Sequence, residues 1–149
     1  MKTSYFRVIP LFMALVGCDV SVDQFYKGKL QKGGLYDLEA TSLSATPVSV
    51  SVGDEVRFTY KVTNVGKEDV PHGNYQIDLY VGKELVAYDH GTSTIKRGLD
   101  VEYSMSSTGC HWKPTAKGIY EVRFVVDERN DLPETDEANN IASLNITVK

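Results

Sequence analysis

Between Asp127 and Asn140 the chain places six carboxylates, Asp127, Glu128, Asp131, Glu134, Asp136 and Glu137, and three asparagines around a single Arg129. Side chains of this kind supply hard oxygen ligands, and calcium takes roughly six to eight of them from carboxylates, amides and backbone carbonyls. A weak calcium site joining Asp127, Asp131, Asp136 and Asn139 is therefore one chemistry open to the segment, although the spacing is not that of an EF-hand loop. The other is structural. Asp and Asn side chains accept hydrogen bonds from nearby backbone N–H groups and so shape turns, and this is the role expected here. Cys110 and His111 are adjacent, which invites a nucleophile–base pairing. Successive residues of a strand point to opposite faces, however, so adjacency works against a hydrogen-bonded dyad. His72, His90 and His111 are scattered without metal-ligand spacing. The sequence holds no HExxH, no GxSxG and no phosphate-cradling glycine loop. Neither an enzymatic activity nor a cofactor is expected.

A different chemistry is written at the start of the chain. Lys2 and Arg7 precede an uncharged run from Val8 to Val16, and the run closes on Leu15-Val16-Gly17-Cys18. A basic head, a short apolar stretch and small residues form a secretory signal. The run is too short to cross a bilayer as a helix, which takes about 20 residues. Its ending resembles the bacterial lipoprotein signal, the lipobox, which implies lipidation and cleavage at Cys18. Cys18 would then open the mature protein with acyl chains on its sulfur and amine, and two or more such chains hold a protein stably on a membrane. Asp19 follows directly. In proteobacterial lipoproteins an aspartate there resembles an inner-membrane retention signal, so in a host with two membranes the protein is expected on the inner one, facing the periplasm.

Removal of residues 1–17 would leave 132 residues with 14 positive against 20 negative charges, a net of −6. That length suits one domain. An acidic exterior argues against nucleic acid and against docking on anionic lipid by charge. With Cys18 acylated, Cys110 has no partner for an internal disulfide. Residues 18–36 read as a tether, with Gly28, Gly33 and Gly34, the lysines Lys27, Lys29 and Lys32, and no sustained apolar period. As a flexible chain it would span roughly 25 Å.

From Asp37 the pattern turns to period two. Val56, Phe58, Tyr60 and Val62 alternate with Arg57, Thr59, Lys61 and Thr63; Tyr120, Val122, Phe124 and Val126 alternate with Glu121, Arg123 and Val125. The same holds for Ile77 to Val81, Val101 to Met105 and Leu144 to Val148. Each is a strand with one buried face. Leu38 to Ala45 and Val48 to Val52 supply a first edge broken at Pro47, and proline belongs at an edge or at a crossover between sheets. Gly82-Lys83 is a two-residue hairpin signal. Phe58, Tyr120 and Phe124 are expected in the core, with Trp112 as a plug at the entrance to the strand of Tyr120. Some seven strands joined by Gly, Asn, Asp and Pro turns predict an all-β antiparallel sandwich over residues 37–149.

On those strands, residues 37–149 resemble the bacterial cell-adhesion-related domain, CARDB. Pro47, the Val52-Gly53-Asp54 turn and the Thr63-Asn64-Val65-Gly66 strand exit carry the first part of the resemblance. The closing part lies in WKPTAKGIYEVRFVVDERNDLPETDEANN, with Trp112, Pro114, Gly118, Tyr120, Asp127, Asn130, Glu134, Asp136, Glu137, Asn139 and Asn140 in matching places. The family implies an immunoglobulin-like or fibronectin-III-like sandwich that acts as an interaction module. It often recurs in tandem, whereas this chain holds one copy. The expected function is a membrane-anchored, non-catalytic lipoprotein of the cell envelope that binds or positions an extracytoplasmic protein or a surface glycan. The alternative is an accessory or inhibitory lipoprotein acting on an envelope enzyme through a loop such as Asp69–Asn74 or Ser106–Cys110.

Overall fold

A computed structural model describes residues 34–104 and 111–149. Seven strands follow in order: β1 Leu38–Thr46, β2 Arg57–Asn64, β3 Ile77–Val81, β4 Glu84–Asp89, β5 Asp100–Ser104, β6 Gly118–Val126 and β7 Ile141–Val148. They form two antiparallel sheets, β1-β2-β5 and β4-β3-β6-β7. This is the immunoglobulin-like sandwich that the alternation called for. Met105 and the Ser106–Cys110 loop lie outside the described residues, as do Cys18 and the signal segment.

The core sits between the sheets. In β2 the buried residues are Phe58, Tyr60, Val62 and Asn64, each separated by a more exposed neighbour. Ile77, Leu79, Val122, Phe124, Val126, Ile146 and Val148 meet them from the other sheet. The Tyr60 and Phe124 rings touch across the gap with centroids 4.8 Å apart. The first strand follows a less regular rule. Leu38 and Ala40 share a parity that Leu43 and Ala45 do not, and the pairing with β2 shifts between Ala40 and Ser42. The bulge re-phases the strand, so both halves pack against the core.

Pro47 ends β1. Three residues later Val50 makes a parallel bridge to Val148 in the opposite sheet, so the proline marks a crossover between sheets. Val48 to Val52 contribute that one bridge and no strand. The β3–β4 hairpin turns on Gly82-Lys83 as expected, with Val81 opposite Glu84 and a φ of 59° at Gly82.

Trp112 is buried ahead of β6 and exchanges backbone bonds with Val56. Its ring meets Tyr120 edge-on at 4.9 Å. Tyr120 differs from expectation. It is half-buried, because its hydroxyl donates to the Ala116 carbonyl at 2.9 Å and holds the ring at the end of the sandwich. This is the arrangement of a tyrosine corner.

Asn64 has a role that alternation alone does not show. It is fully buried, and its amide donates to the carbonyls of Glu68 and Ile95, both at 2.9 Å, and accepts from Gly66 N at 3.0 Å. A Cβ on Gly66 would stand 2.6 Å from Asp37 N, so only glycine lets the turn lie against the start of β1. Truncating Asn64→Ala strands two carbonyls and an N–H, and is expected to lower stability by about 2–3 kcal/mol. Urea unfolding of both proteins checks this; a loss under about 0.5 kcal/mol would mean that water replaces the amide freely.

Candidate functional site

The β6–β7 connection is built by its own side chains. Asp127 and Asn130 adopt left-handed φ values of 50° and 52°, conformations that short polar residues tolerate. The Asp127 carboxylate accepts from Asp131 N at 3.2 Å and Leu132 N at 2.7 Å, which turns the chain and drives Leu132 into the core. Asp136 accepts from Ala138 N at 2.9 Å, and Glu137 from Glu134 N at 3.2 Å. Asn139 donates to the Asp37 carboxylate at 2.8 Å.

Of the four residues considered for calcium, Asp127 and Asp136 thus cap separate turns and Asn139 reaches towards β1. Among the described residues no three His, Cys, Asp or Glu side chains stand close enough to hold a metal ion. His90 lies edge-on to Tyr88 and His111 lies 3.8 Å from Glu55, in different parts of the domain. Cys110 lies outside the described residues. The Asp69–Asn74 loop is pinned: Asp69 accepts from Lys96 Nζ at 2.8 Å and Arg97 N at 2.9 Å.

Sequence reasoning missed the second task of the acidic loop. It clamps the chain where β1 begins. Glu134 accepts from Leu38 N at 2.6 Å and from the Asn140 amide at 2.5 Å, while Thr135 N donates to the Tyr36 carbonyl at 2.9 Å. Leu35, read from the sequence as tether, accepts from Lys67 N at 2.7 Å. Burial pushes the Glu134 carboxyl up to about 7, and the neighbouring Asp127 and Glu137 charges act in the same direction. Burial likewise raises Asp127 to about 6, with Asp131 and Glu137 adding to the effect.

The two outer faces differ in kind. On the three-stranded sheet the outer face carries Arg57, Thr59, Lys61 and Thr63 of β2, with Asp100 of β5 bonded to Thr63 and paired with Lys61. On the four-stranded sheet Tyr80 donates its hydroxyl to Glu128 at 2.5 Å, and the Arg123 guanidinium lies 5.3 Å over its ring. Beside them Asp78 is buried and held up at about 6 by burial and by Glu128, while Tyr88 faces it from β4. Val125 also points outward yet is only 4% exposed. A pocket of about 210 Å³ opens between this face and the acidic loop, lined by Arg123, Val125, Ile141, Asp127, Glu137 and Asn140 among others.

A sandwich of this topology admits many families; the match of a family model decides among them. The CARDB model covers residues 35–144. The chain belongs to the CARDB family. Among solved structures it is similar to the CARDB domain of a Pyrococcus furiosus protein, crystallised in complex with di-metal ions. The two are 23% identical with a TM-score of 0.65, over 86% of this chain and 100% of that one. The solution structure of the same Pyrococcus domain gives 24% identity and a TM-score of 0.62, over 78% and 97%. A domain from Methanosarcina acetivorans, of a protein described as a cell surface protein, gives 21% and 0.57, over 77% and 93%. No relative is found among the curated proteins. Identities this low show the fold. CARDB is a non-enzymatic, adhesion-type domain family, and the outer sheet face with the pocket beside it forms the candidate site. Among the described residues of this CARDB chain, no helix is long and apolar enough to cross a membrane.

Proposed function

We propose that the chain is a lipid-anchored, non-catalytic lipoprotein of the cell envelope whose CARDB sandwich binds or positions an extracytoplasmic protein or a surface glycan. The observation that carries the binding role is the outer face of the four-stranded sheet. Tyr80, Tyr88, Arg123 and Asp78 share that face, and Arg123 also lines an open pocket at its end. Aromatic rings beside fixed charges are surface suited to recognition, since they offer large contact area at low entropic cost. Anchoring rests on the sequence Leu15-Val16-Gly17-Cys18, and the extracytoplasmic setting agrees with the Methanosarcina domain described above.

The test is direct. Cells fed a labelled fatty acid are expected to label the natural protein and to leave Cys18→Ala unlabelled and unanchored. Equal labelling of both would sink the anchor. In a host with two membranes the natural protein is expected in the inner-membrane fraction, and Asp19→Ser is expected to move it outward.

A further inference from the structure

We propose that the outer face of the four-stranded sheet binds a neutral sugar residue of a surface glycan, its hydroxyls donating to the Asp78 carboxylate and the apolar face of its ring lying on Tyr88. This deepens the binding function above, choosing the glycan over a protein partner, and rests on it.

Asp78 is the residue that calls for a ligand. It points outward from β3, opposite Tyr88 of β4 and Val125 of β6, and is 9% exposed. Among the described residues no group donates a hydrogen bond to it. Those that act on it do so by charge, Glu128 against its ionisation and His90 and Arg129 in its favour. Its oxygens are not sealed in, since among the described residues the enclosed side-chain oxygens without a partner are those of Asn139 and Asn140. The other carboxyls raised by burial differ: Asp127 accepts from two backbone N–H groups, and Glu134 from Leu38 N and the Asn140 amide. A recessed carboxylate without a donor is costly, and an incoming hydroxyl relieves it.

The surroundings select a neutral ligand rich in hydroxyls. Charge is balanced around Asp78: with Glu128 it stands against Arg129 and against Arg123, which lies over Tyr80. A cation would meet the two guanidiniums, and an anion the two carboxylates; a neutral sugar meets neither penalty. Tyr88 is half-buried beside Asp78, and its ring meets that of His90 with centroids 5.1 Å apart. The face of such a ring is electron-rich and attracts the weakly positive C–H groups that line one side of a sugar. A serine or threonine of a partner protein brings one hydroxyl. A sugar brings adjacent hydroxyls, enough for both Asp78 oxygens, together with the apolar face that Tyr88 accepts.

The experiment titrates the full-length protein, in a detergent without a sugar headgroup, with cellotriose, mannotriose and chitotriose, and follows the backbone amide resonances of the protein. Saturable shifts at Asp78, Tyr80, Tyr88 and Val125, with a dissociation constant on the order of millimolar, are expected with at least one trisaccharide. The peptide acetyl-Gly-Thr-Gly-amide, which has a hydroxyl and no sugar ring, is expected to leave them still. Asp78→Asn is expected to weaken binding about tenfold, and Tyr88→Ala to abolish it, while Tyr88→Phe keeps the ring and the affinity. Where a variant fails to fold, the map of shifts in the natural protein decides. Shifts centred on another face, or unchanged in folded Asp78→Asn and Tyr88→Ala, would overturn the proposal. Equal shifts from the threonine peptide would make this a protein-docking face, overturning the glycan and leaving the binding function above in place. Silence towards all three trisaccharides, in a protein whose spectrum is folded, would also overturn it. None of these outcomes bears on lipidation at Cys18, which the fatty-acid experiment reads separately.

Discussion

Phe124→Ala is expected to remove about 3–5 kcal/mol of stability, and Phe58→Ala a similar amount. Both side chains are fully buried between the sheets, and Phe124 touches Tyr60 of the opposite sheet at 4.8 Å. Their removal leaves cavities that strands fixed by pairing on both sides cannot close. A domain of this size holds about 5–15 kcal/mol in total, so either variant sits close to unfolding. Urea melts measure the loss. Changes below about 1 kcal/mol at both positions would place the inward face of β2 and β6 elsewhere. Truncation at Tyr120 tests a different thing, since that ring is half-exposed and tied by its hydroxyl to Ala116.

The second large effect is on pH. Glu134 titrates near 7 in the fold, and Asp127 and Asp78 near 6, each raised chiefly by burial. In the unfolded chain the same groups titrate near 4. Between those values the native state binds more protons than the unfolded one, so stability falls as pH rises. The contribution is fully present below about pH 4 and lost by about pH 7. Discounted for the solvent that reaches Glu134 and its neighbours, the summed effect is about 2–4 kcal/mol. At the acid end the exposed carboxylates work the other way. A hydrogen bond from Arg57 lowers Glu55, one from Lys96 lowers Asp69, and one from Thr63 lowers Asp100, so protonating them costs stability. The optimum is therefore expected near pH 5, with a higher urea midpoint there than at pH 8. Glu134→Gln, which mimics the neutral acid, is expected to flatten the slope and to stabilise the domain at pH 8. A midpoint that is higher at pH 8 in the natural protein would mean that Glu134 is hydrated and ionised at little cost.

Much of the sandwich is determined by residues adjacent in sequence. The alternation of Phe58, Tyr60 and Val62 with threonine and lysine, and of Val122, Phe124 and Val126 with their neighbours, needs only the two-residue pleat of a strand to become a buried face. Gly82-Lys83 makes a hairpin, Pro47 stops a ladder, and Asp127 and Asp136 turn the chain through bonds to N–H groups two to five residues away. These signals are local, so the chain carries them wherever it is placed. Tertiary structure decided the rest. The bulge in β1 arises in its pairing with β2, and Val125, on an outward face, is buried where the acidic loop borders the sheet. The clamp joins Asp37 to Asn139 across 102 residues and Leu38 to Glu134 across 96. A carboxylate in the sequence does not reveal whether water or a distant backbone N–H will meet it. Burial decides that, and burial is a property of the packed sheets.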